Sequence, residues 1–193
     1  MGIEFELKFS ATPAQQEQIL KAFPLAYRTI RMQTTYYDTP EGVLCARHIT
    51  LRRRMENDAS VCTVKTPVAG LGRGEWECLC DNIEDAIPIL CKLGASKELI
   101  CLTALGVEPI CGARFTRQAG LLEYQGAQLE LALDSGILYG GEREQDLCEI
   151  EVELKSGEPD SAMAFARELA ERYGLRSEKK SKFRRALALA KEE

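Results

Sequence analysis

The sequence predicts a mostly-β α+β domain in which eight antiparallel strands close into a barrel with a charged bore and flanking helices. Three observations lead there. Eight segments alternate with period two, many neighbouring segments are spaced as hairpins, and the few helical stretches are amphipathic. Length and composition agree: 193 residues with 45% hydrophobic and 28% charged side chains can bury a real core, which excludes disordered and fibrous classes. No apolar run approaches the roughly 18–20 residues of a membrane span. The N-terminal MGIEFELKFS has acids where a signal peptide needs bases and an apolar stretch. The expectation is a cytoplasmic protein without a membrane partner, organised as a single domain over residues 1–193.

In chain order, the first strand covers residues 3–9, with Glu4, Glu6 and Lys8 on one face and Ile3, Phe5, Leu7 and Phe9 on the other. Thr12-Pro13-Ala14-Gln15 is a capping box with proline at the first helical position, opening a helix of about ten residues that Pro24 closes. Strands follow at 27–38, 48–55, 61–66 and 74–80, with Gly70-Leu71-Gly72 as a turn. A helix at 84–93 contains Pro88 and ends on Gly94. Strands at 110–118, 128–134 and 147–155 come next, with Gly140-Gly141 as a turn. The stripe of Ala162, Phe165, Ala166, Leu169, Ala170 and Tyr173, ended by Gly174, predicts a helix, and a short basic helix follows at 181–190.

The strands carry the chemistry. Glu149, Glu151, Glu153 and Lys155 alternate with Ile150, Val152 and Leu154; Arg52 and Arg54 are two apart, as are Arg73, Glu75 and Glu77; Lys65 shares a face with Thr63; Glu130 and Asp134 are four apart. A solvated charged face produces the same alternation, because period two does not say which face is inside. Here, however, acids cluster on some strands and arginines on others, and the apolar faces need the helices as outer cover. A charged bore fits both facts. It would be costly without a ligand. Opposed Glu-x-Glu pairs give hard oxygen ligands suited to Mg²⁺ or Mn²⁺, and Arg and Lys suit phosphate oxygens.

Several motifs follow one another along the chain: Glu4-Phe5-Glu6-Leu7-Lys8, Tyr37-Asp38-Thr39, Leu51-Arg52-Arg53-Arg54, Thr63-Val64-Lys65-Thr66, Arg73-Gly74-Glu75-Trp76-Glu77, Phe115-Thr116-Arg117, Leu133-Asp134-Ser135-Gly136, Cys148-Glu149-Ile150-Glu151, and Ser181-Lys182 with Arg185. In this order they resemble the motifs of the CYTH, or triphosphate tunnel metalloenzyme, superfamily. Residues 113–157 are most similar to the CYTH part of bacterial inorganic triphosphatases, which often carry a CHAD domain that is not found in this sequence. The resemblance implies an eight-stranded tunnel barrel and metal-dependent hydrolysis of a triphosphate, with tripolyphosphate going to diphosphate and phosphate as the leading reading. Class IV adenylate cyclase, a thiamine or nucleoside triphosphatase, and a non-catalytic polyphosphate-binding module stay open.

On this reading Glu4, Glu6, Glu149, Glu151 and Glu153 hold the metal, and Lys8, Arg52, Arg54, Lys65, Arg73, Arg117, Lys182 and Arg185 hold the phosphates. Glu6, Glu75 or Glu153 orients the attacking water beside Lys8; Glu75, Glu130 and Asp134 are either orienting groups or ligands to a second metal. Arg53 and Arg114 fall on the opposite faces of their strands, and Trp76 faces away from the bore into the core. Six bases between Arg176 and Arg185 suggest nucleic acid, but the net charge of −5 and the lack of a matching basic stripe elsewhere argue against it. A homodimer is compatible with the sequence. His48 has no neighbour to complete a zinc site, and the eight cysteines form no C-x-x-C pair, so free, mostly buried thiols are expected.

Overall fold

The computed structural model describes residues 5–67 and 73–191. Glu4 and the Gly70-Leu71-Gly72 turn therefore lie outside the described residues, as does the side chain of Arg73. In chain order the elements are β1 (Glu6–Ser10), α1 (Pro13–Ala22), β2 (Arg28–Asp38), α2 (Val43–Ala46), β3 (Thr50–Glu56), β4 (Ala59–Pro67) and β5 (Arg73–Leu79). They continue with α3 (Ile83–Lys92), α4 (Glu98–Leu102), β6 (Glu108–Tyr124), β7 (Ala127–Gly140), β8 (Arg143–Ser156), α5 (Pro159–Tyr173), β9 (Arg176–Ser177) and α6 (Lys182–Lys191). The eight expected strands all appear, in a mostly-β arrangement with antiparallel pairing.

Two expectations are corrected. Among the described residues the sheet has nine strands, and it is open, with the order β5-β4-β3-β2-β6-β7-β8-β1-β9. The physical reason lies at the edge of β1. Closing an eight-stranded barrel needs that edge to meet β5, but β9 pairs with it at Phe9 and Ser10. The Glu178 N–H then donates to the Lys8 carbonyl at 2.8 Å. Strands β6 and β7 also run longer than their alternation suggested, to 17 and 14 residues, and they form an extended hairpin.

The helices follow their local signals. Thr12 caps α1, its hydroxyl accepting from the Gln15 N–H while the Gln15 side chain accepts from the Thr12 N–H, and Pro13 opens the helix. Asn82 caps α3. Helix α5 starts on Pro159 and ends on Gly174 at φ 64°, a left-handed position that glycine adopts without a Cβ penalty. Outside the sheet, Ile19 of α1 and Phe165 of α5 pack with the outward-facing residues of β1, β7 and β8, including Leu131, Leu133, Ile150 and Val152. Helix α3 and its neighbours cover β3–β5 through Leu51, Cys62, Val64, Ile87 and Leu90, with Trp76 packed against them as expected. On the opposite face, α6 lies against Met32, Tyr36, Phe115 and Leu138. Among the described residues no helix is long and apolar enough to cross a membrane. The eight thiols are free, but Cys62, Cys91 and Cys111 alone are buried and Cys101 is exposed; burial is less complete than expected because most of them sit at strand ends and helix margins.

Candidate active site: a basic groove beside a carboxylate cluster

The charged faces of β1, β3, β4, β5, β6 and β8 meet in one groove of about 350 Å³, capped by α6. Strands β1 and β5 lie near opposite ends of the sheet order, so the sheet is curled enough for Glu6 and Lys8 to share a cavity with Glu75. Among the described residues its lining contains six bases (Lys8, Arg52, Arg54, Lys65, Arg117, Lys182) against three acids (Glu6, Glu75, Glu151), an anion-attracting balance in an acidic chain. Ser181 lines it too, with Met32, Thr34, Tyr36, Thr50, Phe115 and Phe183. Sequence reasoning missed these groups, although Phe115 stands two residues before Arg117 and must share its face.

Pairing within the groove is uneven. Glu75 lies between Arg52 at 3.4 Å and Lys65 at 2.9 Å, and Lys8 is 3.0 Å from Glu6. Arg54 pairs with Glu56. The Nε atoms of Arg52 and Arg54 are nevertheless buried without a hydrogen-bond partner among the described residues. Burial, and then the like charge of Arg52, lowers the pKa of Arg54, with Glu56 only partly opposing. Two crowded guanidinium groups with unused donors are what an anion would satisfy. Arg53 faces outward, donating to the Asp81 carbonyl at 2.9 Å, and Arg114 pairs with Glu144 on the surface.

Beside this basic wall lies a buried cluster of Asp134, Glu149 and Glu151, 0%, 1% and 7% exposed, each offering a carboxylate oxygen within 4.8 Å of the others. Asp134 and Glu149 face each other across β7 and β8. The Lys182 ammonium sits among all three, 2.9 Å from Asp134, 2.5 Å from Glu149 and 2.7 Å from Glu151. Arg117 grips Asp134 through two bonds of 2.7 Å and also meets Glu151. Arg185 pairs with Glu149. Burial, joined by the like charge of Glu151, raises the Glu149 pKa against the opposing pull of Lys182 and Arg185. Burial acts the same way on Glu151, but there Lys182 and Arg117 outweigh it and hold the carboxyl below its usual range. Lys182 is desolvated too, yet Glu151, Asp134 and Glu149 keep its pKa above the ordinary value.

The sequence-derived set thus divides. Lys8, Glu6, Arg52, Arg54, Lys65, Glu75, Arg117, Glu151 and Lys182 come together in the groove, and Glu149 lies in the cluster. Arg185 reaches that cluster from α6. Glu153, opposite Glu6 in the β1–β8 register, pairs with Lys155 at 2.8 Å and lines a second mouth with Arg28 and Glu130. That mouth is larger, about 740 Å³, but its five bases are matched by five acids, so the smaller groove is the better anion site. His48 lines neither mouth among the described residues.

A curled antiparallel sheet holding an anion-attracting groove beside a hard-oxygen cluster defines the class of this protein. The chain belongs to the CYTH domain family, whose model matches residues 2–187. It is 33% identical over 174 residues to an inorganic triphosphatase of Haemophilus influenzae, a match covering 86% of this chain and 49% of the relative. The chain therefore spans about half the length of that curated relative. Among solved structures it is similar to a proposed adenylyl cyclase from Hippeastrum described as having a dominant triphosphatase activity, with TM-score 0.68, 20% identity and 96% of each chain covered. A proposed adenylate cyclase from Bacillus halodurans gives 0.66 at 18% identity, covering 95% of this chain and 96% of that one. At these identities the likeness shows the fold alone.

Proposed function

We propose that this chain is a hydrolase acting on a triphosphate, with tripolyphosphate as the leading substrate and diphosphate and phosphate as products. One observation carries the reading: a groove with six bases against three acids, two of its arginines with unused buried donors, opens beside three clustered carboxylates. The 33% identity to an inorganic triphosphatase supports the choice of substrate. A cytoplasmic location and a single catalytic domain are part of the same proposal.

Lys8, Arg52, Arg54, Lys65 and Arg117 would bind and orient the phosphate oxygens, and Glu75 sets the directions of Arg52 and Lys65. Arg73 and Arg185 belong to the proposed phosphate-binding set as well, Arg185 acting from behind the cluster. Phosphoryl transfer depends chiefly on such positioning and on charge stabilisation, which a preorganised groove supplies. Glu6 is the proposed water-orienting carboxylate, since it lines the groove beside Lys8 while Glu153 lines the other mouth. The donor set fits a hard divalent cation: three carboxylates, no thiolate or imidazole, and an ammonium already held among them. Asp134, Glu149 and Glu151 would hold Mg²⁺ or Mn²⁺, with Glu6 on β1 and Glu153 on β8 as further candidates and Glu4 as a candidate from its sequence motif alone. When bound, the ion would neutralise phosphate charge and favour ionisation of water.

The test is to incubate the protein with tripolyphosphate, ATP and thiamine triphosphate, with Mg²⁺ and then Mn²⁺, assaying phosphate and cyclic AMP. Metal-dependent phosphate release, fastest from tripolyphosphate, is expected. Cyclic AMP as the dominant product would overturn the hydrolase reading, and tight polyphosphate binding without turnover under either ion would make the chain a binding module.

A further inference from the structure

We infer that Gln16, on the outer helix α1, is a positioning residue for the carboxylate cluster, fixing the backbone from which Asp134 and Glu149 project. The inference rests on reading that cluster as a divalent-cation site. Gln16 is 6% exposed, and a buried amide needs partners for both its ends. All of them lie at two adjacent rungs of the sheet, Asp134 opposite Glu149 and Ser135 opposite Cys148. Its Nε2 donates to the carbonyl oxygens of Asp134 and Glu149, at 2.9 Å each, and its Oε1 accepts from the Ser135 hydroxyl at 2.6 Å. The orientation follows from the partners: carbonyls only accept, so the nitrogen must face them and the oxygen is left for the hydroxyl. This also accounts for Ser135 within Leu133-Asp134-Ser135-Gly136, a motif residue with no place in the groove.

Asp134 and Glu149 are directly opposed in the β7–β8 register, so one amide joins the two strands where two of the three carboxylates arise. The third oxygen comes from Glu151, and all three lie within 4.8 Å of each other. Like charges that close repel, and the repulsion acts to splay this rung, whereas a small hard cation demands a narrow ligand geometry. Helix α1 is a firm base for the amide. Its first turn is capped by Thr12, the Ala11 N–H donates to the Cys148 carbonyl at 3.0 Å, and the Gln15 amide donates to the Tyr173 carbonyl at 2.8 Å. Packing alone does not call for an amide at this position, since Ile19 on the same helix is fully buried as a hydrocarbon.

The experiment is a Mn²⁺ titration of the whole chain, following the electron paramagnetic resonance of free Mn²⁺, with thermal melting alongside. Gln16→Met keeps the length and loses the amide; it should weaken Mn²⁺ binding about tenfold or more, as loss of groups that orient metal ligands does. Ser135→Ala should act in the same direction, less strongly. Ile19→Val should lower the melting temperature with Mn²⁺ affinity unchanged. Wild-type affinity in Gln16→Met, or an equal loss in Ile19→Val, would overturn the inference. If Gln16→Met does not fold, Ser135→Ala decides, and wild-type affinity there overturns it. Absence of Mn²⁺ binding in the wild type, or binding untouched by Glu151→Gln, would remove the cation site and the inference together; binding that depends on Glu151 but not on Gln16 would remove the inference alone.

Discussion

Among single residues, the cations of the groove fall into two kinds. Lys182 is paired with three carboxylates and Arg117 with two, through its Nε and one terminal nitrogen, whereas Arg52 and Arg54 keep buried Nε donors without partners among the described residues. Arg52→Ala and Arg54→Ala should therefore each weaken use of tripolyphosphate roughly ten- to a hundredfold, about 1.5–3 kcal/mol per charge-assisted contact, with much smaller effects on Mn²⁺ binding. Steady-state kinetics check this, with Arg53→Ala as control because its guanidinium faces outward to Asp81. An Arg53→Ala enzyme that fails while the other two work would remove the face assignment of β3. Lys182→Met asks a different question. It leaves three buried carboxylates to Arg117 and Arg185, so it should destabilise the metal-free protein by about 3 kcal/mol, measured by urea unfolding, and Mn²⁺ should restore part of the loss. The sequence revealed these faces because period-two alternation survives on β1, β3 and β8. It placed Asp134 only as an orienting group or a second-metal ligand, because Asp134 joins Glu149 and Glu151 through the β7–β8 register, which one sequence does not carry.

Whole elements were legible where a local signal was strong. The capping box gave α1, and the apolar stripe with Gly174 gave α5. Helices α2 and α4, four and five residues long, are too short to show a 3.6-residue period. Helix α2 forms because buried Asp38 accepts from the N–H groups of Thr39, Leu44 and Cys45 at 2.7–2.9 Å, so Tyr37-Asp38-Thr39 caps a turn instead of building the groove. The basic helix α6 was anticipated beside the groove with Lys182 turned inward, and it sits there, but its close approach to β7 was not legible. It passes so close to Gly140 that a Cβ there would stand 2.4 Å from the Ala186 carbonyl oxygen and 2.7 Å from the Ala190 nitrogen. Gly140→Ala should push α6 off β7, costing about 1–3 kcal/mol as overpacking does, and should lower turnover because Lys182 and Arg185 move with the helix. Limited trypsin digestion is the check: cleavage around Lys179 and Lys180 should quicken, and an unchanged digestion pattern with full activity would show that α6 tolerates displacement.

At the scale of the whole molecule, eight alternating segments suggested closure because alternation counts strands without locating edges. The edge taken by β9 depends on a two-residue pairing that no periodicity reveals. Closure turns out not to be needed to bring the charges together, since the open sheet curls until β1 and β5 line one groove. The fold thus sets two apolar layers under outer helices against a charged layer whose carboxylates are held by internal cations. Much of its stability must depend on what neutralises that layer. A cation that binds the native cluster and not the unfolded chain stabilises by mass action, about 2.7 kcal/mol at a hundred times its Kd. For a chain of this size that is a rise in Tm of roughly 5–10 °C. Scanning calorimetry with Mn²⁺ should show the rise in the wild type and lose it in Glu151→Gln. Arg52→Ala should keep the Mn²⁺ rise but lose the further increment that tripolyphosphate adds in the wild type, because its side chain serves the anion. A wild-type Tm indifferent to both Mn²⁺ and Mg²⁺ would mean that Lys182, Arg117 and Arg185 neutralise the cluster completely, and that the groove binds its anion without a metal at these carboxylates.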